Sequence, residues 1–231
     1  MKILMLADAG EPHIIKWVNA LCKKGVEVIL FSFKPGDPSF YESSGRITFY
    51  DCGFSSRLVT GRDGNIAKLS YLKVLPGLRK VIKNHQPDLL HAHYAAGYGF
   101  IGALSRFRPF MVSAWGSDVI SFPRISPLHR WMIQWVLRRA DKVLSTSHYM
   151  ARHISRLSDV QPEVTPFGID TDIFRKQGTR RDNGEIILGS VKNLKPEYSL
   201  QNVLMTFRKL REMMPDQPLR LILVGDGPER G

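Results

Sequence analysis

The chain has 231 residues, 43% hydrophobic and 23% charged, enough to bury one sizeable core and part of another, which excludes wholesale disorder. A formal charge of +12 favours anionic partners, whether nucleic acid, acidic lipid or phosphorylated small molecules. The two cysteines, Cys22 and Cys52, lie in different segments without finger spacing, which excludes a disulfide framework and a zinc module. The opening Met1–Asp8 is interrupted too early for a signal peptide, and no apolar window is long enough to cross a bilayer. The expected location is the cytoplasm, free or peripheral on the inner face of the plasma membrane.

Apolar, β-branched runs alternate with amphipathic stretches. Residues 2–7 predict a strand, and 13–24 a helix with Ile14, Ile15, Trp17, Val18, Leu21 and Cys22 on one side. Gly25 ends that helix, and Val26–Phe31 is the next strand. Lys34–Pro38 is a loop by its turn chemistry, and Arg46–Cys52 a third strand. A helix is expected over Ile66–Asn84, interrupted or kinked near Pro76 and Gly77. Strands follow at Asp88–His93, Phe110–Trp115, Lys142–Ser147 and Glu163–Thr165. Helices fill the gaps at Gly97–Arg106, Pro127–Arg139 and His148–Leu157, the last with Ser147 as N-cap. This rhythm predicts an α/β fold with a doubly wound, Rossmann-like parallel sheet, whose buried strands read as continuous apolar runs.

After Phe167–Asp170 the chain turns polar, and Arg180 and Arg181 fall in a stretch that reads as a linker. The pattern restarts with a strand at 185–191, a helix near 200–213 and a strand at 219–224. The expected organisation is a first domain over 1–170, a linker over 171–184, and the incomplete start of a second Rossmann-like domain over 185–231. One strand-helix-strand unit cannot bury its own faces.

In such a sheet ligands bind beyond the carboxyl ends of the strands. The first loop, Asp8-Ala9-Gly10-Glu11-Pro12, precedes a helix N-terminus and could offer amides to a phosphate. It is not G-x-G-x-x-G, which counts against a dinucleotide site. His91 and His93 share one strand face. Without a third ligand at fixed spacing they read as one packed histidine and one facing the cleft, in preference to a metal site. Trp115-Gly116-Ser117-Asp118 is a glycine turn with a carboxylate, so Asp118 is either a base binding substrate hydroxyls or a turn cap. Asp170 and Asp172 look like a D-x-D metal motif but read as a turn. In Pro127–Arg139, Leu128, Trp131, Met132 and Trp135 share one side. Core packing is the favoured use of that stripe over a membrane-surface face.

Together, Pro87-Asp88-Leu89-Leu90-His91-Ala92-His93, Trp115–Asp118, Pro166-Phe167-Gly168-Ile169-Asp170-Thr171-Asp172 with Phe174, and Leu223–Pro228 form a series. In order and spacing it resembles the family 4 glycosyltransferases of bacterial cell-surface polysaccharide synthesis, which have two Rossmann-like domains (the GT-B type). The resemblance implies a retaining transferase that moves a sugar from a nucleotide-diphosphate donor to a hydroxyl of a lipid-linked or saccharide acceptor. It implies no metal or other cofactor: amides and basic side chains would stabilise the departing diphosphate. Asp118 and His93 are then the catalytic candidates, Gly10, Glu11, Lys192 and Lys195 the phosphate-side contacts, and His13, Trp115, Gly116 and Ser117 the acceptor contacts.

Three departures from the family pattern stand out. Trp115 replaces the usual histidine before the Gly-Ser-Asp turn. Asn193 and Tyr198 stand where the family has its phosphate-binding arginine and lysine, leaving Lys192 or Lys195 to supply charge. The family's donor-binding glutamate pair would fall beyond Gly231, so these residues alone are expected to show little transfer. A non-catalytic or decayed transferase-like binding module is the second reading. Nucleic-acid binding has only the net charge behind it and is set aside for want of a helix-turn-helix, finger or ribonucleoprotein motif.

Overall fold

Strand β1 (Lys2–Leu6) is apolar at every position after its first, and it takes an interior place in a seven-stranded sheet. The computed structural model describes residues 1–41, 45–52, 72–175 and 184–230. Helix α1 (Pro12–Lys23) begins with Pro12, whose missing N–H and fixed φ suit a first turn. Then come β2 (Glu27–Ser32), β3 (Ile47–Asp51), α2 (Leu75–His85), β4 (Leu89–His93), α3 (Tyr98–Ser105), β5 (Phe110–Ala114), the short α4 (Ser117–Ile120), α5 (Pro127–Arg139), β6 (Lys142–Ser145), α6 (His148–Ser158) and β7 (Glu163–Val164). All pair in parallel in the order β3-β2-β1-β4-β5-β6-β7. The order reverses between β1 and β4, and this opens a crevice at their carboxyl ends. No helix among the described residues is long and apolar enough to cross a membrane.

The sheet has a core on each face. Leu4 and Leu6, Ile29 and Phe31, Leu90 and Ala92 point to one, with residues of α2, α3, α5 and α6. Met5, Ala7, Val28 and Leu30 point to the other, with Ile14, Val18 and Cys22 of α1. Each large side chain buried this way stabilises by about 1.5–3 kcal/mol. Ser147 caps α6 as expected, accepting from the Met150 amide at 3.2 Å.

Pro76 lies in the first turn of α2, so the interruption expected near it falls at the start of that helix; the expected part of the helix before residue 72 lies outside the described residues. One element differs from expectation. In α5 the buried positions are Ile133, Val136 and Leu137, whereas Leu128 is 68% and Trp131 57% exposed. Leu128 and Trp131 therefore point away from the core, whereas Met132 and Trp135 of the same stripe pack partly against it, so the core-packing reading is corrected for the first two. Both sides of α5 are apolar, and periodicity cannot say which of two apolar sides a sheet will take.

The chain divides into compact units at Met1–Ile169 and Asp170–Gly231. The second begins with a turn in which Asp170 Oδ1 accepts from the amides of Asp172 and Ile173 at 2.9 and 3.3 Å. Most of the expected linker, 176–183, lies outside the described residues. Then β8 (Ile186–Val191), α7 (Leu200–Met213) and β9 (Leu219–Val224) form a parallel two-stranded sheet with its crossover helix.

Candidate functional site

The period of two along β4 turns His91 and His93 to the α1 side of the sheet, opposite Leu90 and Ala92. There the edge of the Trp17 indole meets both imidazoles, at 6.1 and 5.4 Å between centroids. His91 Nε2 bonds to Ser113 Oγ at 2.8 Å, and burial pushes its pKa down to about 4. His93 is 3% exposed, and burial, with His91 beside it, holds its pKa well below the usual histidine range. Both rings are neutral at physiological pH. Neither nitrogen of His93 has a hydrogen-bond partner, nor does the buried Nε1 of Trp115. A neutral imidazole has one donor and one acceptor to offer, and leaving them unmet costs about 1–3 kcal/mol. Unmet buried polar groups of this kind are a mark of functional sites.

Trp115 meets the His93 ring edge-on at 6.0 Å. Beyond it, His13 from α1 stacks on Phe167 at 4.0 Å and 7°, and both lie edge-on to Trp115. Phe167 reaches this place because Lys16 Nζ donates to its carbonyl and, at 2.7 Å, to that of Gly168. The result is an aromatic cover over His93, drawn from α1, the loop after β5 and the segment after β7. Trp17, Phe167 and Lys16 were not singled out in sequence: Trp17 reads as one more apolar position of α1, and Phe167 joins the others only through the fold.

The loop after β5 is set by Asp118, which is 0% exposed. Its carboxylate accepts from the amides of Ala95 at 2.7 Å, Gly116 at 2.8 Å and Trp115 at 3.1 Å. Burial raises its pKa, and these amides together with its own pull it back. Asp118 thus clasps the loop after β4 to the loop after β5, with its oxygens directed at backbone donors. Gly116 sits at φ +135°, where a side chain would be strained, and this turn aims Trp115 inward. Ser117 stays exposed, its Oγ 3.1 Å from Tyr94 Oη.

The loop after β1 is braced just as closely. Asp8 Oδ1 accepts from the Gly10 amide at 3.0 Å, and Asp8 Oδ2 pairs with Lys34 Nζ at 2.8 Å. The Glu11 amide is bonded to the Asp8 carbonyl at 3.2 Å and that of Ala9 to Ser32 Oγ at 3.2 Å. Tyr41 Oη donates to the Ala9 carbonyl at 2.6 Å. The amides expected to meet a phosphate at Gly10 and Glu11 are engaged within the loop, and the carboxylate that engages Gly10 is neutralised by Lys34.

In the second unit Lys192 and Lys195 follow β8, both exposed. The Lys192 ammonium lies over the Tyr198 ring at 5.4 Å. The glycine loop after β9 is laced to this loop: the Leu194 amide donates to the Asp226 carbonyl at 2.9 Å. Gly225 has φ +155°, and a Cβ there would fall 1.8 Å from the Lys192 carbonyl oxygen. A shallow concavity lined by Leu204, Phe207, Arg211 and Met214 adjoins Leu219 at the start of β9, the strand end away from these loops. Among the described residues no three His, Cys, Asp or Glu side chains cluster as metal ligands.

The family model described as "Glycosyl transferase 4-like" matches residues 2–147. No curated protein matches the sequence. Among solved structures, sucrose-phosphate synthase from Thermosynechococcus elongatus is similar at TM-score 0.72 and 17% identity, over 100% of this chain and 64% of that one. The N-terminal domain of Candida albicans trehalose-6-phosphate phosphatase is similar at 0.68 and 15%, over 99% and 65%. Anabaena HepE, solved in complex with UDP and glucose, is similar at 0.64 and 18%, over 98% and 61%. At these identities the likeness is one of fold, and the chain spans less than two thirds of each of these structures.

Proposed function

Because the chain belongs to the glycosyl transferase 4-like family, we propose that it serves a transferase moving a sugar from a nucleotide-diphosphate donor to a hydroxyl of a saccharide or lipid-linked acceptor. Retention of anomeric configuration and a role in cell-surface polysaccharide synthesis, both implied by the family resemblance, belong to the same reading. The observation that carries it is the aromatic cover of His13, Trp115 and Phe167 over a buried, neutral, unpartnered His93, at the point where strand order reverses. Aromatic faces suit the apolar faces of sugar rings, and an imidazole with one donor and one acceptor free suits a hydroxyl. Ser117 and the Gly116 turn would line the acceptor's path. Asp118 acts as a positioning residue, since its carboxylate fixes the loop that carries Trp115.

For the donor, in the first unit the Gly10–Glu11 loop and the start of α1 are the proposed phosphate contacts. In the second unit, taken by itself, Lys192 and Lys195 are the proposed source of positive charge for a diphosphate. Tyr198, at the place where the family has a lysine, holds the Lys192 ammonium over its ring, a contact of about 0.5–1 kcal/mol at an exposed site. The neighbour solved with UDP and glucose supports a nucleotide sugar as the partner class. The reading assigns no metal.

A screen of nucleoside diphosphates by thermal unfolding tests this. One base should stand out, and at a hundredfold excess over its dissociation constant it would stabilise by about 2.7 kcal/mol. If no diphosphate shifts the midpoint at millimolar concentration and no nucleotide sugar is turned over, the reading fails. A second reading, a binding module without turnover, is favoured by the Asp118 oxygens being spent on amides. It predicts a nucleotide-dependent shift with no transfer from any donor.

A further inference from the structure

The outward face of α5 is apolar and cationic, and we infer that it is a docking face for a lipid bilayer carrying anionic headgroups. Three observations carry this. First, the side opposite the buried Ile133, Val136 and Leu137 presents Leu128 and Trp131, with Ile125 exposed just ahead of the helix. Trp131 is backed by Trp135, the two rings stacked at 6.5 Å and 21°. Second, residues 121–140 contain four arginines and no aspartate or glutamate. Among the described residues Arg124, Arg130 and Arg139 make no ion pair, and the Arg139 guanidinium lies 5.5 Å from the Trp135 ring centroid. Third, the whole chain carries +12, so the approach to a negative surface is favourable at long range.

The chemistry selects the occupant. A protein partner that buried this face would have to supply several carboxylates to match guanidinia spread around an apolar ridge. A bilayer interface supplies both halves at once: tryptophan seats at the headgroup level, leucine and isoleucine enter the acyl boundary, and arginines snorkel to phosphate. At 13 residues α5 is too short to cross a bilayer and would lie in the interfacial plane. The inference stands apart from the transferase reading, since vesicle binding and sugar transfer are measured separately and either can fail alone.

The test is co-sedimentation of the full chain with vesicles of phosphatidylcholine alone, or with added phosphatidylglycerol, at low and moderate salt. Binding is expected on the anionic vesicles, weaker on the neutral ones, with a blue shift of tryptophan emission. The double variant Leu128→Ser, Trp131→Ser changes two exposed positions, so it should keep the parent's circular dichroism spectrum. Its partition should fall by about tenfold or more. Arg124→Gln and Arg130→Gln should each cost about fivefold. Absence of binding to anionic vesicles, or equal binding by the double variant, overturns the assignment. So does a concentration-dependent dimer that the double variant abolishes, because a second copy would then own the face.

Discussion

His93→Leu should make the protein more stable while removing a group the proposed site needs. At neutral pH the substitution removes two unpartnered ring nitrogens, a gain of about 1–3 kcal/mol. It gives up edge contacts with Trp17 and Trp115, a loss of about 0.5–1.5 kcal/mol. The balance is about 1 kcal/mol in favour of the variant. Acid widens the gap. His91 and His93 are held below their unfolded value of 6.5, so on acidification the unfolded chain takes up protons that the folded one refuses. Stability from each histidine is therefore complete above that value and lost as pH falls toward the folded pKa, about 4 for His91. Between pH 7.5 and 5 a histidine with a folded pKa of about 4, as His91 has, costs about 2 kcal/mol. The wild type loses a contribution from both histidines and the variant only that from His91, so the advantage widens as the pH falls. Asp118, raised in the fold, works in the opposite sense at the acid end but equally in both proteins. Urea unfolding at the two pH values, followed through the emission of Trp17 and Trp115 beside the ring, reads the difference. A variant clearly less stable than wild type at pH 7.5, or a gap that does not widen in acid, would refute the picture of a neutral, unpartnered His93.

Four further substitutions separate scaffold from site. Asp118→Asn places an amide NH2 against backbone N–H groups, so about 2–3 kcal/mol should be lost; a stability change under about 0.5 kcal/mol would mean that the clasp does not form. Gly10→Ala should be nearly silent in urea unfolding, because a Cβ there meets nothing closer than Asp8 Oδ1 at 3.5 Å, so any lost response to nucleotide would report on binding. Gly225→Ala should instead unlace the loops after β8 and β9, seen as rapid proteolysis within residues 184–230, since its Cβ has nowhere to go. Lys34→Met leaves Asp8 without its partly buried counter-charge, for which about 1–2 kcal/mol of stability and a weaker nucleotide-induced thermal shift are expected.

The regular elements were legible because parallel strands buried on both faces announce themselves as apolar runs and their helices as a separate period. The helix expected at Pro127–Arg139 and the strand at 219–224 have those bounds in the structure. The site was legible only as loops. Gly10, His93, Trp115, Gly116 and Ser117 could be named from their places after strands, but His13 stacking on Phe167 joins residues far apart in sequence. Only the sheet's strand order and the Lys16 tether bring them together. Nor could spacing reveal that the Gly10 amide is already taken by Asp8, since that depends on the local path of a short loop. The orientation of α5 was misread because a helix with apolar residues on both sides gives two equal answers until one side meets the sheet.

The Asp118 clasp has a consequence for how this crevice can change over time. One of the two loops it joins contributes nothing but a main-chain N–H, from Ala95, which every residue except proline possesses. The clasp therefore places no demand on the side chain at position 95, which is held small by its burial in the core, whereas the junction needs the Asp118 carboxylate itself. Of the two loops, the one after strand β5 is the fixed jaw.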